Sequence, residues 1–160
     1  MTAAIQESQM LQPDSAANRE QVADTMIGLT RLSHSHRVIV AGNDSLELSL
    51  CLRRRGIVHV TTTTTSRIPR RQHTVGLITG HDSLPAIEAA LTRISQFLSA
   101  SAAIAVLIDS RESGFSLKVR TRLQQMGFRI EAGVRCQQGL VLSAYRQGFG
   151  EMEKIGKAHV

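Results

Sequence analysis

Apolar residues recur at two different spacings along this chain, and the alternation of the two spacings predicts its secondary structure. Residues 38–41 form a short apolar run that ends at Gly42, which is typical of a buried parallel strand. A helix over 44–55 follows, ends at Gly56, and leads into the β-branched segment 57–65, which indicates a second strand. Strand, helix and strand in this order are the opening unit of an α/β fold.

The helix after the first strand is predicted to begin with a capping box. In its Asp-x-x-Glu pattern, the carboxylate of Asp44 accepts a hydrogen bond from a free backbone amide, while Glu47 reaches back to the capping residue. Three arginines at the other end favour the negative pole of the helix dipole. Capping alone is therefore enough to explain Asp44.

The rest of the chain repeats this alternation and ends in a hairpin. The most regular helical face follows a cap at Asp82 or Ser83 and consists of Ile87, Leu91, Ile94 and Leu98. The other predicted elements are strands at 74–80 and 103–108, a helix closed by Gly127, and strands at 129–135 and 140–145. A tight turn joins the last two strands, which must therefore be antiparallel.

Four strands separated by helices predict a parallel sheet with right-handed crossovers, and the terminal hairpin makes the sheet mixed. We expect a three-layer α/β domain that an N-terminal helix precedes. The residues expected to be deeply buried in it are Ile39, Leu50, Ile78, Leu91, Ile94, Val106 and Leu123.

The pattern also divides the chain into segments. Residues 1–14 are polar and lack periodicity, so we expect a disordered tail there. Residues 15–36 hold a helix and a polar linker, and the helix presents one apolar face formed by Val22, Met26 and Leu29. The α/β domain is predicted at 37–148 and a C-terminal tail at 149–160.

Composition narrows the class of protein. A chain of 160 residues, 42% of them apolar, predicts one domain. It holds no apolar run near the ~20 residues of a membrane span and no signal peptide, so we expect a cytoplasmic protein without membrane contact. Cys51 and Cys136 form no disulfide framework, and His34 and His36 lack a third ligand nearby, so no metal site is predicted.

The charge of the chain is basic and comes mostly from arginine. Its 19 Lys and Arg exceed its 13 Asp and Glu, which gives a net charge of +6. Such a balance attracts nucleic acid or phosphate-bearing ligands, but four Phe, one Tyr and no Trp offer few stacking residues. Arg67, Arg70 and Arg71 form a loop that is interpreted either as a phosphate clasp or as a solvated loop.

Candidate ligand-binding residues follow from the predicted fold, because open α/β sheets bind ligands at the carboxyl ends of their strands. These residues are Gly42, Asn43, Asp44, Thr63, His81 and Asp82. His81 beside Asp82 has the composition of a general base with its orienting acid. The alternative is that Asp82 caps a helix and His81 is an exposed loop residue.

Two stretches carry a resemblance to a known family. The sequence VIVAGNDSLELSLCLRRRGIVHV at 38–60, together with Gly127-Phe128 and the ending GLVLSAYR at 139–146, resembles the class I S-adenosylmethionine-dependent methyltransferases. The resemblance implies a Rossmann-like methyltransferase-type sheet with a C-terminal antiparallel hairpin. It also implies an S-adenosylmethionine site at the loop after the first strand.

The chain departs from the family at that site. Of three loop glycines in the family only the first is present, as Gly42, and Asp44 and Leu46 take the places of the others. Thr63 or a neighbour stands where the family has the carboxylate that holds the ribose hydroxyls, and residues 66–73 are too few for the helix and strand that the family inserts there. A degraded cofactor site and a trimmed sheet are the expectation.

Three functions remain open on the sequence. The preferred hypothesis is a methyltransferase-like domain without catalysis, which serves as a binding or regulatory module and binds either no cofactor or S-adenosylmethionine. The second is an active methyltransferase with a divergent loop, and the third is a basic protein that binds phosphate or nucleic acid. The sequence leaves a protein partner or a homodimer open.

Overall fold

The computed structural model of the chain describes residues 2–64, 67–80, 83–109 and 114–146, with side chains from residue 16 onward. Within these ranges, helices and strands alternate after an N-terminal helix. The elements are α1 (Thr2–Thr30), β1 (Val38–Ala41), α2 (Ser45–Arg54), β2 (Val60–Thr62), β3 (His73–Ile78), α3 (Leu84–Ser95), β4 (Leu98–Ile108), α4 (Phe115–Gln125), β5 (Phe128–Arg135) and β6 (Leu140–Arg146).

The strands of the described ranges form one six-stranded sheet in the order β2-β1-β3-β4-β6-β5. β1 is parallel to its neighbours β2 and β3, and β3 is parallel to β4. β6 lies between β4 and β5 and is antiparallel to both. The predicted parallel sheet with a closing antiparallel hairpin is therefore confirmed.

Helices cover both faces of the sheet and enclose two apolar cores. On one face, Leu91 of α3 is fully buried against strand residues that include Ile39. On the other face, Met26 of α1 and Leu52 of α2 are fully buried beside Val40. Neighbouring residues of β1 thus point to opposite cores, as the alternation of side chains along a strand requires. The predicted three-layer α/β architecture is confirmed.

All but one of the predicted core residues are buried. The exception is Leu50, whose side chain is 50% exposed, so that prediction was wrong. Helix α2 carries a leucine at every second position from 46 to 52, and leucines therefore lie on both sides of the helix. Contacts with α1 and the sheet bury Leu48 and Leu52, and they leave Leu46 and Leu50 on the surface.

Helix α1 begins at Thr2, whereas the sequence pattern predicts a disordered tail at 1–14 and a helix from residue 15. No apolar spacing marks the first turns, so the pattern gives no sign of a helix there. The predicted face does pack on the domain, because Val22 and Met26 are buried and Leu29 is partly buried. The segment boundaries themselves stay a prediction.

Polar contacts fasten α1 to α2. Glu20 accepts a hydrogen bond from Arg54 at 3.0 Å and forms a close ion pair with Arg55. The thiol of Cys51 donates to the same carboxylate at 3.4 Å. The hydrogen bond from Arg55, supported by Cys51 and Arg54, holds the pKa of Glu20 below its ordinary value.

A second set of contacts fastens α1 to the hairpin of β5 and β6. The hydroxyl of Thr25 lies 3.4 Å from the sulfur of Cys136, and the side chain of Gln21 accepts a hydrogen bond from the backbone amide of Gln137 at 3.3 Å. Both cysteines of the chain are free thiols, and both contact α1.

Strand β2 is shorter than predicted and is an edge strand of the sheet. The sequence predicts a strand over 57–65, but of the residues described in this range only Val60–Thr62 pair with β1, and Val58 is 60% exposed. The described residues between β2 and β3 hold no helix or strand, in agreement with the predicted trimming. Among the described helices, none combines the length and the apolar character that a membrane span requires.

Arg146 joins the end of the hairpin to α3 and β4. Its guanidinium donates to the carbonyls of Ser95, Leu98 and Ser99 at 3.1, 3.0 and 3.2 Å, and to the Ser95 hydroxyl at 2.7 Å. The same group lies 5.0 Å from the ring centroid of Phe128. Burial and the charge of Arg71 lower the pKa of Arg146, but a guanidinium keeps its charge in proteins.

We expect Arg146→Ala to lower the free energy of unfolding by about 2–3 kcal/mol, because partly buried carbonyls lose a charged donor. Arg146→Lys keeps the charge but loses the planar fork, and we expect an intermediate loss. Urea denaturation followed by circular dichroism measures both. Arg129→Ala on the edge strand β5 is the control, and equal losses in Arg129→Ala and Arg146→Ala would contradict the structural role.

Candidate functional site

A cleft opens at the carboxyl ends of β1 and β2, beside helix α3, and has a volume of about 470 Å³. The residues that line it are Ala41, Gly42, Asn43, Thr63, Ala86, Ala89, Ala90 and Arg93. Open α/β sheets bind their ligands at this edge. Of the residues predicted at this edge, the fold brings Gly42, Asn43 and Thr63 into one cleft.

Gly42 has a structural reason that does not involve a ligand. Its φ of +118° is a backbone conformation that favours glycine. A Cβ at this position would lie 2.6 Å from the carbonyl oxygen of Thr79, which follows β3. The same Thr79 donates its amide to Ala41 at 2.8 Å and accepts a hydrogen bond from the amide of Asp44 at 3.3 Å. The loop after β1 is therefore held against β3.

The predicted capping box at Asp44 is not formed. Asp44 occupies the N-cap position of α2 with φ −102° and ψ 27°, and its side chain accepts no capping hydrogen bond. An effective cap has extended backbone angles, as Ser83 does with φ −126° and ψ 146° before α3. Ser83 accepts a hydrogen bond from the amide of Ala86 at 3.3 Å, which confirms this alternative of the predicted cap.

Asp44 instead faces a second, much smaller cavity, on the side of the sheet that α1 and α2 cover. This cavity measures about 20 Å³, which is enough for about one water molecule. The residues that line it are Arg19, Val22, Asp44, Leu48, Thr79, Leu107 and Gln138. Asp44 thus lines a different cavity from the one that Gly42, Asn43 and Thr63 line. Leu46 lines neither cavity among the described residues and is 64% exposed.

A further carboxylate at this edge belongs to Asp109, which follows β4. It packs against Gly80, where a Cβ would lie 3.1 Å from its carboxyl carbon. Asp109 is not among the described residues that line the large cleft. The proposed pair His81 and Asp82 lies outside the described residues.

The three arginines of the predicted phosphate clasp lie in the loop between β2 and β3. Arg67, Arg70 and Arg71 are exposed, and none is among the described residues that line the cleft. Ile68 packs on the core, and the amide of Arg71 bonds the carbonyl of Gln96 at 3.2 Å. The loop is thus anchored by its backbone and one apolar side chain, and its guanidinium groups face solvent.

Sequence reasoning missed the wall of the cleft that α3 supplies. Ala86, Ala89, Ala90 and Arg93 recur at steps of three and four, so they share one side of this helix. Small side chains there leave the space that forms the cleft. The spacing was visible in the sequence, but only the fold places that side of α3 against the end of β1.

One basic side chain belongs to the described wall of the cleft. Arg93 is the one charged side chain among its described lining residues, and none of these residues is acidic. Asn43 and Thr63 add neutral polar groups. Within the described part of the chain, no group of three His, Cys, Asp or Glu side chains is placed to hold a metal ion. The arrangement fits recognition of a polar ligand and supplies no described general base.

No family model and no curated protein matches this sequence. Solved structures do share its fold. The chain is similar to precorrin-6y C5,15-methyltransferase from Geobacter metallireducens GS-15, with a TM-score of 0.57 and 12% identity over 80% of this chain and 88% of that one. It is similar to the N-methyltransferase NodS from Bradyrhizobium japonicum WM9 in complex with S-adenosyl-L-homocysteine, with a TM-score of 0.54, 10% identity and coverages of 79% and 86%.

A third similar structure is one chain of a complex that contains the Haloferax volcanii Trm112 methyltransferase activator. Its TM-score is 0.57 at 6% identity, over 78% of this chain and 88% of that one. The sheet order, the helices on both faces of the sheet and the similarity to these solved structures all indicate the same fold. The chain has the Rossmann-like fold of class I S-adenosylmethionine-dependent methyltransferases.

Proposed function

We propose that this chain is a methyltransferase-fold binding module that does not transfer methyl groups. The observation that supports this most strongly is the composition of the cleft. Thr63 stands where the resemblance implies a ribose-binding carboxylate, and Arg93 is the one charged residue among the described lining residues. A threonine hydroxyl cannot make the charge-assisted bidentate bond of a carboxylate. The positive charge of Arg93 also disfavours a sulfonium cofactor.

Two further observations support the proposal. Gly42, the one matching glycine of the family loop, is required by the close approach to Thr79 and needs no cofactor to explain it. The other side of the same edge is closed by α1, which leaves only about 20 Å³ beside Asp44. Space for a ligand at this edge is thus confined to the cleft beside α3 in the part of the chain that the structure describes.

Calorimetry with S-adenosylmethionine and S-adenosylhomocysteine tests the proposal. We expect no binding with a dissociation constant below about 100 μM. Tighter binding by the parent protein would contradict the proposal and support an active methyltransferase with a divergent loop. Ala89→Phe fills the cleft and Ala89→Ser is its matched control, so loss of binding in the first variant alone would locate the ligand.

Thr63→Asp is expected to create measurable affinity for S-adenosylhomocysteine, because it restores a charged acceptor at the end of β2. Thr63→Asn is the control, since it has nearly the same shape without the charge. Leu46 and Asp44 need no replacement, since Leu46 is exposed and Asp44 faces the other cavity. Calorimetry under the same conditions measures the gain. Equal affinity of both variants would contradict the role assigned to the missing carboxylate.

The second candidate is the active enzyme. A cleft of about 470 Å³ lies within the range of small-molecule sites, and it retains Gly42 and Asn43 after β1.

A similar structure comes from a complex with a methyltransferase activator, which supports a protein partner for a module of this fold. The proposed binding module would act through its contacts with such a partner protein.

A further inference from the structure

A second cleft lies at the opposite ends of the strands, where β2, β1 and β3 begin. Its volume is about 240 Å³. The residues that line it are Arg37, Val58, His59, Val60, Thr61, Pro69 and His73. It shares none of these residues with the cleft beside α3.

The backbone of the two exposed basic residues in this cleft is fixed. The carbonyl of Arg37 accepts hydrogen bonds from the amides of Thr74 and Val75 at 2.9 and 3.2 Å. The carbonyl of His59 accepts one from the amide of Val38 at 2.8 Å. Both side chains are exposed, so the sheet presents a guanidinium and an imidazole to solvent from rigid positions.

The guanidinium of Arg37 is also oriented. Its Nη1 donates to Oε1 of Gln72 at 2.9 Å, which holds the side chain beside the start of β3. None of the described residues that line this cleft is acidic, so no carboxylate there neutralises Arg37. A planar guanidinium with donors in a fixed fork is suited to bind two oxygens of a phosphate group.

His73 forms the buried wall of this cleft. Its side chain is 4% exposed, and its Nδ1 has no hydrogen-bond partner among the described residues. Burial lowers the pKa of His73, the charge of Arg37 acts in the same direction, and a hydrogen bond with the backbone of Phe97 opposes both. Nδ1 of His73 is thus a buried nitrogen without a hydrogen-bond partner among the described residues, which is rare in native proteins.

We propose that this cleft binds the phosphate group of a small ligand. Arg37 and His59 donate to the phosphate oxygens, and the hydroxyl of Thr61 lies in the same cleft. The volume is sufficient for a phosphate with a short organic group.

Amide NMR titration of the whole chain tests this site. Inorganic phosphate and glycerol 3-phosphate are added separately at constant ionic strength, and the tighter of the two identifies the source of the phosphate. We expect saturable shifts at His59 and Thr61, and at least about tenfold weaker binding in Arg37→Gln. No saturable shift with either probe up to about 20 mM would overturn the proposal.

Arg129→Gln is the matched control, because Arg129 lies on the opposite edge strand and is exposed. Equal weakening by Arg129→Gln and Arg37→Gln would show diffuse attraction to a basic protein and overturn the site. His59→Asn is a second variant at an exposed position, and it should weaken binding with an unchanged melting temperature. Excess S-adenosylhomocysteine should leave phosphate binding unchanged, which separates this result from the proposed function.

Discussion

Gly42→Val is expected to lower the free energy of unfolding by at least about 4 kcal/mol, the largest effect of any substitution considered for this chain. A side chain at φ +118° is strained, and its Cβ would lie 2.6 Å from the oxygen and 2.9 Å from the nitrogen of Thr79. Both atoms belong to backbone, and the nitrogen is bonded to the carbonyl of Ala41. The neighbouring strand cannot move aside without breaking the sheet at the carboxyl ends of β1 and β3.

Chemical denaturation followed by circular dichroism measures this loss. Gly28→Ala is the control, because a Cβ there meets nothing within 4 Å, and the change should stabilise α1 by about 0.5–1 kcal/mol. If Gly42→Val unfolds at the same denaturant concentration as the parent, the loop after β1 does not pack on Thr79. Gly42 would then need a ligand to explain it.

Leu91→Ala is expected to cost about 3–4 kcal/mol of stability, because the fully buried side chain leaves a cavity between α3 and the sheet. A loss of this size is a large share of the stability of a small domain. Leu50→Ala is the matched control, since Leu50 is 50% exposed and should change stability by less than about 0.5 kcal/mol. Urea denaturation of both variants measures the difference.

A result in which Leu50→Ala costs as much as Leu91→Ala would mean that the buried side of α2 has been assigned wrongly. Equal stability of Leu91→Ala and the parent would instead place Leu91 outside the core. The two variants remove the same atoms from two helices of the same domain, so differences in chemistry do not enter the comparison.

The sequence predicts most of the fold because burial on two faces leaves a strong pattern. The run at β1 is apolar without interruption because helices cover both of its faces, and the buried face of α3 repeats at steps of four and three. Leu98 continues that spacing but is the first residue of β4, because the helix ends at Ser95. Periodicity alone cannot show where one element stops and the next continues its phase.

The candidate sites were less predictable, because they depend on contacts between distant segments. The place of Gly42 after β1 is predictable from the sequence, but its close partner Thr79 lies far along the chain, after β3. Arg93 reaches the cleft only because α3 crosses beside the end of β1. Arg37 and His59 come together at the amino ends of β1 and β2 only because these two strands pair in parallel. No local spacing encodes any of these juxtapositions.

The two cysteines report on whether α1 is docked on the domain. Cys51 in α2 touches Glu20, and Cys136 at the hairpin touches Thr25, so each thiol is shielded by a different part of the same helix. Alkylating reagents react with exposed thiolates, and the labelling rate of each cysteine therefore depends on whether α1 is in place beside it. The unmodified chain thus carries two intrinsic chemical reporters. Comparing the labelling rates of Cys51 and Cys136 distinguishes release of α1 from the whole domain from loss of its contact with α2 alone or with the hairpin alone.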